Sequence, residues 1–443
     1  MRLRECLLFS VLYLMSTSAI VAGELQRASF ANGVQLVVEE DHSAPVAMVQ
    51  IWLKVGGRDE QPGKTGLAHV FEHMMFKGSK KLQAGEYSKI ISAMGGSDNA
   101  FTSTDYTAYF ETVPSAEVDR VLQMEAERFA NLKLRDKDFQ REIKVIMEER
   151  RMRTEDDPNA RMFEELAAAS LRLHPYRNPV IGWMQDLEAL TIEDVKAFYK
   201  KHYVPANVTV VVVGDVDFKQ IKRTVAQTFA RMKPRKVEPR FNPVEPEPLG
   251  AKRVEVHIPA QLPLVALTLP VPSWVPYKND KEVAAIALAT EILAGGKSAL
   301  LNQVLVNEKQ VAIAAGAGYD PFTMGLDLWY AYGSMGVGQD IEKFEQAFWA
   351  LMNRMSKVLP DERKLKAAKR RMIANAVFAQ DSLYLRAKHI GILETVGIGA
   401  DEKDRWLDLI REVTPEQVRD AFKTWFVPSR TTTGVLRPKA VES

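Results

Sequence analysis

The sequence predicts an α+β protein made of two homologous domains in tandem. Strand-like and helix-like patterns interleave through the first half, one long segment recurs in the second half, and a proline-rich stretch separates the copies. At 443 residues the chain is too long for one ordinary core and fits two or three domains of about 150 residues.

Residues 1–22 place Arg2 and Arg4 before an apolar run from Cys6 to Ala22, the layout of a secretory signal peptide cut after Ala22 or Gly23. An uncleaved anchor is the alternative, because an apolar run of about 17 residues reaches the short edge of a bilayer span. No later stretch is apolar enough to span, so no stable membrane insertion is expected after cleavage, and the expected location is periplasmic. The only cysteine, Cys6, leaves with the signal. An exported chain without cysteine forms no disulfide and must hold any metal with histidine and carboxylate. The 59 basic and 57 acidic residues nearly cancel, with no basic block or basic–aromatic stripe, so nucleic acid is not an expected partner.

The N-terminal domain is expected over 24–232. "VQLVVEED" and "VAMVQIWLKVGG" read as strands, rich in Val and Ile and ending at glycines. A helix follows at "TGLAHVFEHMMFKG", with Thr65 as its cap and Gly78 as its stop. Next come a helix in "AGEYSKIISAMGG", two strands in "DNAFTSTDYTAYFETV" and a long helical region from about Ser115 to Arg153. The helix "TIEDVKAFYKKHY" then leads into "NVTVVVVGD", whose near-continuous apolar run suits a buried strand.

Residues 233–249 are proline-rich without apolar periodicity, and such a stretch is extended and packs no core, so it reads as an interdomain linker. "LTIEDVKAFYKKHYVPANVTVVVVG" recurs beyond it as "VTPEQVRDAFKTWFVPSRTTTGVLR". Without a gap, Thr191 matches Thr414, Glu193 Glu416, Val195 Val418, Tyr199 Phe422, Tyr203 Phe426 and Pro205 Pro428. A repeat this long marks a duplicated domain rather than a solenoid unit. The second copy is expected over 250–438.

Within "AHVFEHMM", residues i, i+3 and i+4 of a helix share a face, so His69, Glu72 and His73 point the same way. Two imidazoles one turn apart suit a single zinc ion, and H-x-x-E-H is a zinc-protease pattern. Val70, Phe71, Met74 and Phe76 suit the core side of the same helix, and a purely structural helix would need them but not the His and Glu placement. A catalytic zinc takes three protein ligands and keeps one open position. In "DFQREIKVIMEERRMRTEDD", Glu142 and Glu149 share a helical face and Glu148 points about 100° away. Spacing alone does not choose among the three, since most such glutamates line a solvated face.

"GLAHVFEHMMFKGS", "AMGGSDNAFTSTDYTAYF", "REIKVIMEER" and "HPYRNPVIG" occur in the order in which similar motifs occur in the pitrilysin, insulinase and mitochondrial-processing-peptidase group of zinc proteases, family M16. The chain resembles the half-length bacterial members of that group from about Gln26 to Pro438. The resemblance implies the LuxS/MPP-like metalloenzyme fold: in each domain a mainly antiparallel sheet with helices packed on one face, and two chains closing as a clamshell. It implies one Zn2+ per chain, a third ligand about 76 residues beyond the second histidine, which is Glu149, and a supporting glutamate at Glu142. Glu72 is implied as the general base that takes a proton from the attacking water. "DNAFTS" is implied as the strand beside which a peptide substrate adds, through backbone groups of Asn99, Ala100 and Phe101. Asp105 is a candidate for orienting an imidazole.

One segment departs from the group. Catalytically complete members carry an Arg and a Tyr seven residues apart in their second domain, and these hold substrate and stabilise the oxyanion. The aligned "VNEKQVAI" has Val306 and Ile313 there; Tyr319 is nearby, but no arginine lies seven residues before it. The expected function is therefore an exported zinc endopeptidase subunit that hydrolyses short or unfolded peptides in a closed chamber, with a homologous M16 partner supplying the Arg/Tyr pair. A self-sufficient homodimeric peptidase and a non-catalytic scaffold subunit like the respiratory-complex core proteins are the alternatives.

Overall fold

The structure is a computed structural model describing residues 23–274, 279–336 and 338–439; the expected signal segment, 1–22, lies outside the described residues. The first half forms a six-stranded sheet from β1 (Leu25–Ser29), β2 (Gln35–Glu40), β3 (Val46–Leu53), β4 (Ser97–Thr102), β5 (Thr107–Pro114) and β6 (Val208–Gly214), in the order β1-β2-β6-β3-β5-β4. Its helices are α1 (Leu67–Met74), α2 (Glu86–Ala93), α3 (Val118–Ala130), α4 (Asp136–Arg150), α5 (Pro158–Ser170), α6 (Met184–Ala189), α7 (Ile192–His202) and α8 (Phe218–Gln227). The second half forms a five-stranded sheet from β7 (Lys252–Pro259), β8 (Leu264–Pro272), β9 (Ala314–Gly318), β10 (Leu326–Ser334) and β11 (Thr432–Lys439), in the order β7-β11-β8-β10-β9. Its helices are α9 (Asp280–Ala294), α10 (Ile341–Met355), α11 (Glu362–Phe378), α12 (Leu383–Val396), α13 (Lys403–Glu412) and α14 (Pro415–Thr424).

The two sheets repeat one pairing scheme. In each, the last strand in sequence lies centrally, parallel to one neighbour (β2 with β6, β7 with β11) and antiparallel to the other (β6 with β3, β11 with β8). The sequence repeat is the unit that feeds this strand. Thr191 and Thr414 each cap their helix in a capping box, and Pro205 and Pro428 each open the short turn before the strand. Every residue of β6 is buried, as its apolar run predicts.

Helices α1, α3, α7 and α8 bury their apolar faces on one side of the first sheet, around Val49, Ile51, Val210 and Val212. The other side is covered by a helix from the second half. Ala387, Ile390 and Leu393 of α12 pack on Val37, Met48, Trp52, Val211 and Val213. Gly391 permits this approach, since a Cβ there would lie 1.9 Å from the Trp52 ring. The exchange is reciprocal: Met162 and Leu166 of α5 pack on Leu264, Ala266 and Leu436 of the second sheet. Each buried aliphatic side chain contributes roughly 1.5–3 kcal/mol, so the two halves are fastened by apolar contact as well as by chain connection. The sequence did not show this exchange, because an amphipathic helix reads the same whichever sheet it covers.

Two local expectations differ. Thr65 does not cap α1; its hydroxyl donates to Asp186, and the position before the helix is Gly66 at φ +84°. The helix starts instead under Glu60, whose carboxylate accepts from the amides of Gly66 (2.9 Å) and Ala68 (2.7 Å). The region from Ser115 to Arg153 is two helices, because the backbone at Asn131 and Leu132 turns aside to bond Lys80 N and pair with Ser79. Residues 233–248 form no helix, strand or turn. Among the described residues, no helix is long and apolar enough to cross a membrane.

Candidate metal centre and active site

Helix α1 presents His69, Glu72 and His73 to α4 and to strand β4. The two imidazole centroids are 4.8 Å apart, and Oε2 of Glu149 on α4 lies 3.8 Å from His69 Nε2 and 3.5 Å from His73 Nε2. One ligand atom from each of these three residues falls within 4.8 Å of the others, and this is the only such group among the described residues. The donor set fits zinc: two imidazole nitrogens and one carboxylate converge with no fourth protein ligand among the described residues. Burial, then the neighbouring His73 and Arg153, pushes the His69 imidazole down to about 3, so it is neutral at physiological pH, the form that binds a metal.

The structure separates the three glutamates that spacing left open. Glu149 is aimed at the histidines, with its other oxygen held by Arg153 Nη1 at 2.7 Å. Glu142, two turns back on the same face, places Oε2 3.5 Å from His73 Nδ1 and Oε1 2.7 Å from Lys77 Nζ, so it lies against the far side of the ring. Glu148 points to solvent and pairs with Arg151 at 2.9 Å.

Glu72 stands beside the three without belonging to the group. Burial raises its carboxyl to about 7; the Thr102 hydroxyl bond acts against that shift and Glu149 adds to it. A carboxyl poised near neutral pH suits a general base. Its partner, Thr102, was not singled out in the sequence, although strand alternation puts it on the same face as Ala100.

Among the described residues strand β4 pairs with β5 alone, so its second edge is open. The amide of Ala100 is bonded to its neighbour's Asn99 Oδ1 at 2.8 Å, which places it on the open side. Antiparallel strands alternate, so the main-chain groups of Asn99 and Phe101 face β5. Of the three residues expected to offer backbone groups, Ala100 turns its amide to the open side, while Asn99 and Phe101 present side chains on the face away from α1.

Asp105 does not orient an imidazole. It is buried in the turn after β4, where its carboxylate accepts from Arg58 (3.1 Å), Tyr176 OH (2.6 Å) and the amide of Met324 (2.9 Å) in the second half. With both oxygens committed there it fastens the two halves, and Nδ1 of His69 is buried without a hydrogen-bond partner among the described residues. Val306 is half-buried against the second core and Ile313 is exposed. Tyr319 donates its hydroxyl to Pro272 O at 2.6 Å, so it is committed as well. A cavity of about 760 Å³ beside Lys54, Trp183 and Arg240 is lined by none of the metal-site residues.

Residues 35–183 match the family described as "Insulinase (Peptidase family M16)", and residues 189–372 match "Peptidase M16 inactive domain". The chain belongs to peptidase family M16. The M16 chain's candidate metal ligands, His69, His73 and Glu149, fall in the first match, and the second half holds no such group among the described residues. The chain is 36% identical to the zinc protease PqqE of Helicobacter pylori over 294 residues, 66% of this chain and 65% of that protein. It therefore spans just under two thirds of that curated relative's length. A solved protease structure from Helicobacter pylori superposes with a TM-score of 0.88 at 27% identity, covering 94% of this chain and 100% of that one. The first half of the periplasmic protease PqqL from Escherichia coli shares the fold, with a TM-score of 0.76 at 17% identity over 94% of this chain and 93% of that one. This M16 chain covers 48% of the whole PqqL chain, so it is half-length in that comparison.

Proposed function

We propose that the chain is an exported, periplasmic zinc endopeptidase subunit that hydrolyses short or unfolded peptides. The observation that carries this is the convergence of His69, His73 and Glu149 beside Glu72, next to an open strand edge. His69, His73 and Glu149 would hold one zinc per chain, and when bound it supplies Lewis-acid polarisation of water and of the scissile carbonyl. A peptide lies along β4 by main-chain pairing at Ala100, which fixes the carbonyl while leaving side-chain preference broad. Glu72 takes the proton of the attacking water and passes it to the leaving amine, so it ends each turnover as it began. Thr102 fixes the carboxylate for that transfer.

The oxyanion side of the mechanism is incomplete in this chain. Val306 and Ile313 donate no side-chain hydrogen bond, and Tyr319 is occupied. A homologous M16 subunit carrying the Arg/Tyr pair completes the site, and the two chains enclose a chamber that admits unfolded peptides and excludes folded proteins. The test is cleavage of an unstructured peptide by this chain alone and mixed with such a subunit. Activity should need the mixture and fall by about 10²–10⁴ in Glu72→Gln. Full activity of the chain alone would refute the partner, and activity of the Glu72→Gln mixture would refute the mechanism.

A further inference from the structure

Helix α12 lies over β3 and β6 on the outer face of the first sheet, and Lys388 reaches from it toward the open edge. Its Nζ is 5.2 Å from the ring centroid of Phe101 on β4 and 5.8 Å from that of Tyr384. Tyr384 in turn packs on Phe110 of β5 at 5.1 Å, so the ammonium sits on an aromatic floor. Among the described residues it has no ion-pair partner within 4.0 Å. The acid that faces it, Asp320, is farther away and accepts from the amide of Phe322 at 2.8 Å. The cation therefore stands at the rim of the substrate edge with no carboxylate within ion-pair distance among the described residues.

We propose that Lys388 selects peptides carrying an acidic side chain next to Phe101. The inference rests on β4 being the strand that pairs with substrate. A strand added there lies about 4.8 Å beyond β4, and its outward side chains fall beside Asn99 and Phe101. An acidic side chain at that position meets an ammonium that is attracted to the aromatic faces beneath it but unpaired. A basic one meets like charge. Main-chain pairing alone is blind to side chains, so this cation, contributed by the second half, supplies the first side-chain preference.

The test scans Glu, then Lys, through each position of one neutral, unstructured peptide. Affinity is read by fluorescence anisotropy on the zinc-loaded Glu72→Gln chain, which binds without turnover. One position should favour Glu over Lys by roughly three- to fivefold, the range of a partly exposed ion pair. In Lys388→Glu on the same background the preference at that position should invert, and in Lys388→Gln it should vanish. A flat scan, or a preference for Glu that survives Lys388→Glu, would overturn the assignment. Loss of zinc or of cleavage in the wild-type mixture would instead strike the peptidase reading, and binding to the Glu72→Gln chain distinguishes the two.

Discussion

Thr102 on the open edge strand donates its hydroxyl to Oε2 of Glu72 on α1. The strand proposed to pair with a peptide and the carboxylate proposed to move the proton are thus joined by one bond. Removing it in Thr102→Val takes away a charge-assisted hydrogen bond worth about 1.5–3 kcal/mol, so kcat/KM should fall about tenfold or more with zinc content unchanged. The bond also pulls the Glu72 carboxyl down from where burial alone would set it, so the acid limb of the pH–rate profile should move to higher pH. An unshifted limb would show that Thr102 does not act through Glu72.

Glu142 touches His73 and Lys77 but not the position where the three ligand atoms converge. Glu142→Gln should weaken zinc binding about 10–100-fold, as loss of an outer carboxylate partner does, while Glu148→Gln should leave it unchanged. Competition against a chelator measures both.

Glu60 caps α1 from outside the helix, replacing the side-chain cap that Gly66 cannot provide. Glu60→Ala removes the acceptor of two helix-start amides and should cost about 1–2 kcal/mol in denaturant unfolding, with α1 fraying first in hydrogen exchange.

Arg386 on α12 bonds Glu39 at 2.9 Å and also pairs with Asp41, tying the second half to the first sheet. Arg386→Ala leaves the buried Glu39 without its cation and should destabilise the fold by about 3–5 kcal/mol. Asp41 is held at about 2, chiefly by the Ser43 hydroxyl and then by Arg386. The folded chain therefore binds that proton less readily than the unfolded one. The Asp41 contribution is complete above its ordinary value of 3.8 and disappears as pH falls toward about 2. Stability of Arg386→Ala should thus fall less steeply than wild type between about pH 4 and pH 2.

The duplication, the buried strand β6 and the helix of His69 and His73 were legible because each is a local pattern: a repeat, an apolar run, a one-turn spacing. Glu149 was not, since its helix offers three glutamates and only the crossing of α4 over α1 selects one. Resemblance to the family supplied that choice; in the structure Glu149 is the glutamate whose carboxylate lies against both imidazoles. Asp105 shows the reverse failure. It was a candidate for orienting an imidazole, but the turn after β4 carries it to Arg58, Tyr176 and the second half. Glu60 and Lys388 left no signal, because a cap from outside a helix and a cation reaching across a sheet are decided by packing. Arg153 could have been found, as it lies one helical turn beyond Glu149.

The claim that a metal centre organises this site is tested most directly by measuring zinc per chain in the purified wild type, His73→Ala and Glu72→Gln. One zinc in wild type and in Glu72→Gln, with none in His73→Ala, is the expected result. Zinc retained by His73→Ala, or absent from wild type after equilibration with the metal, would contradict it.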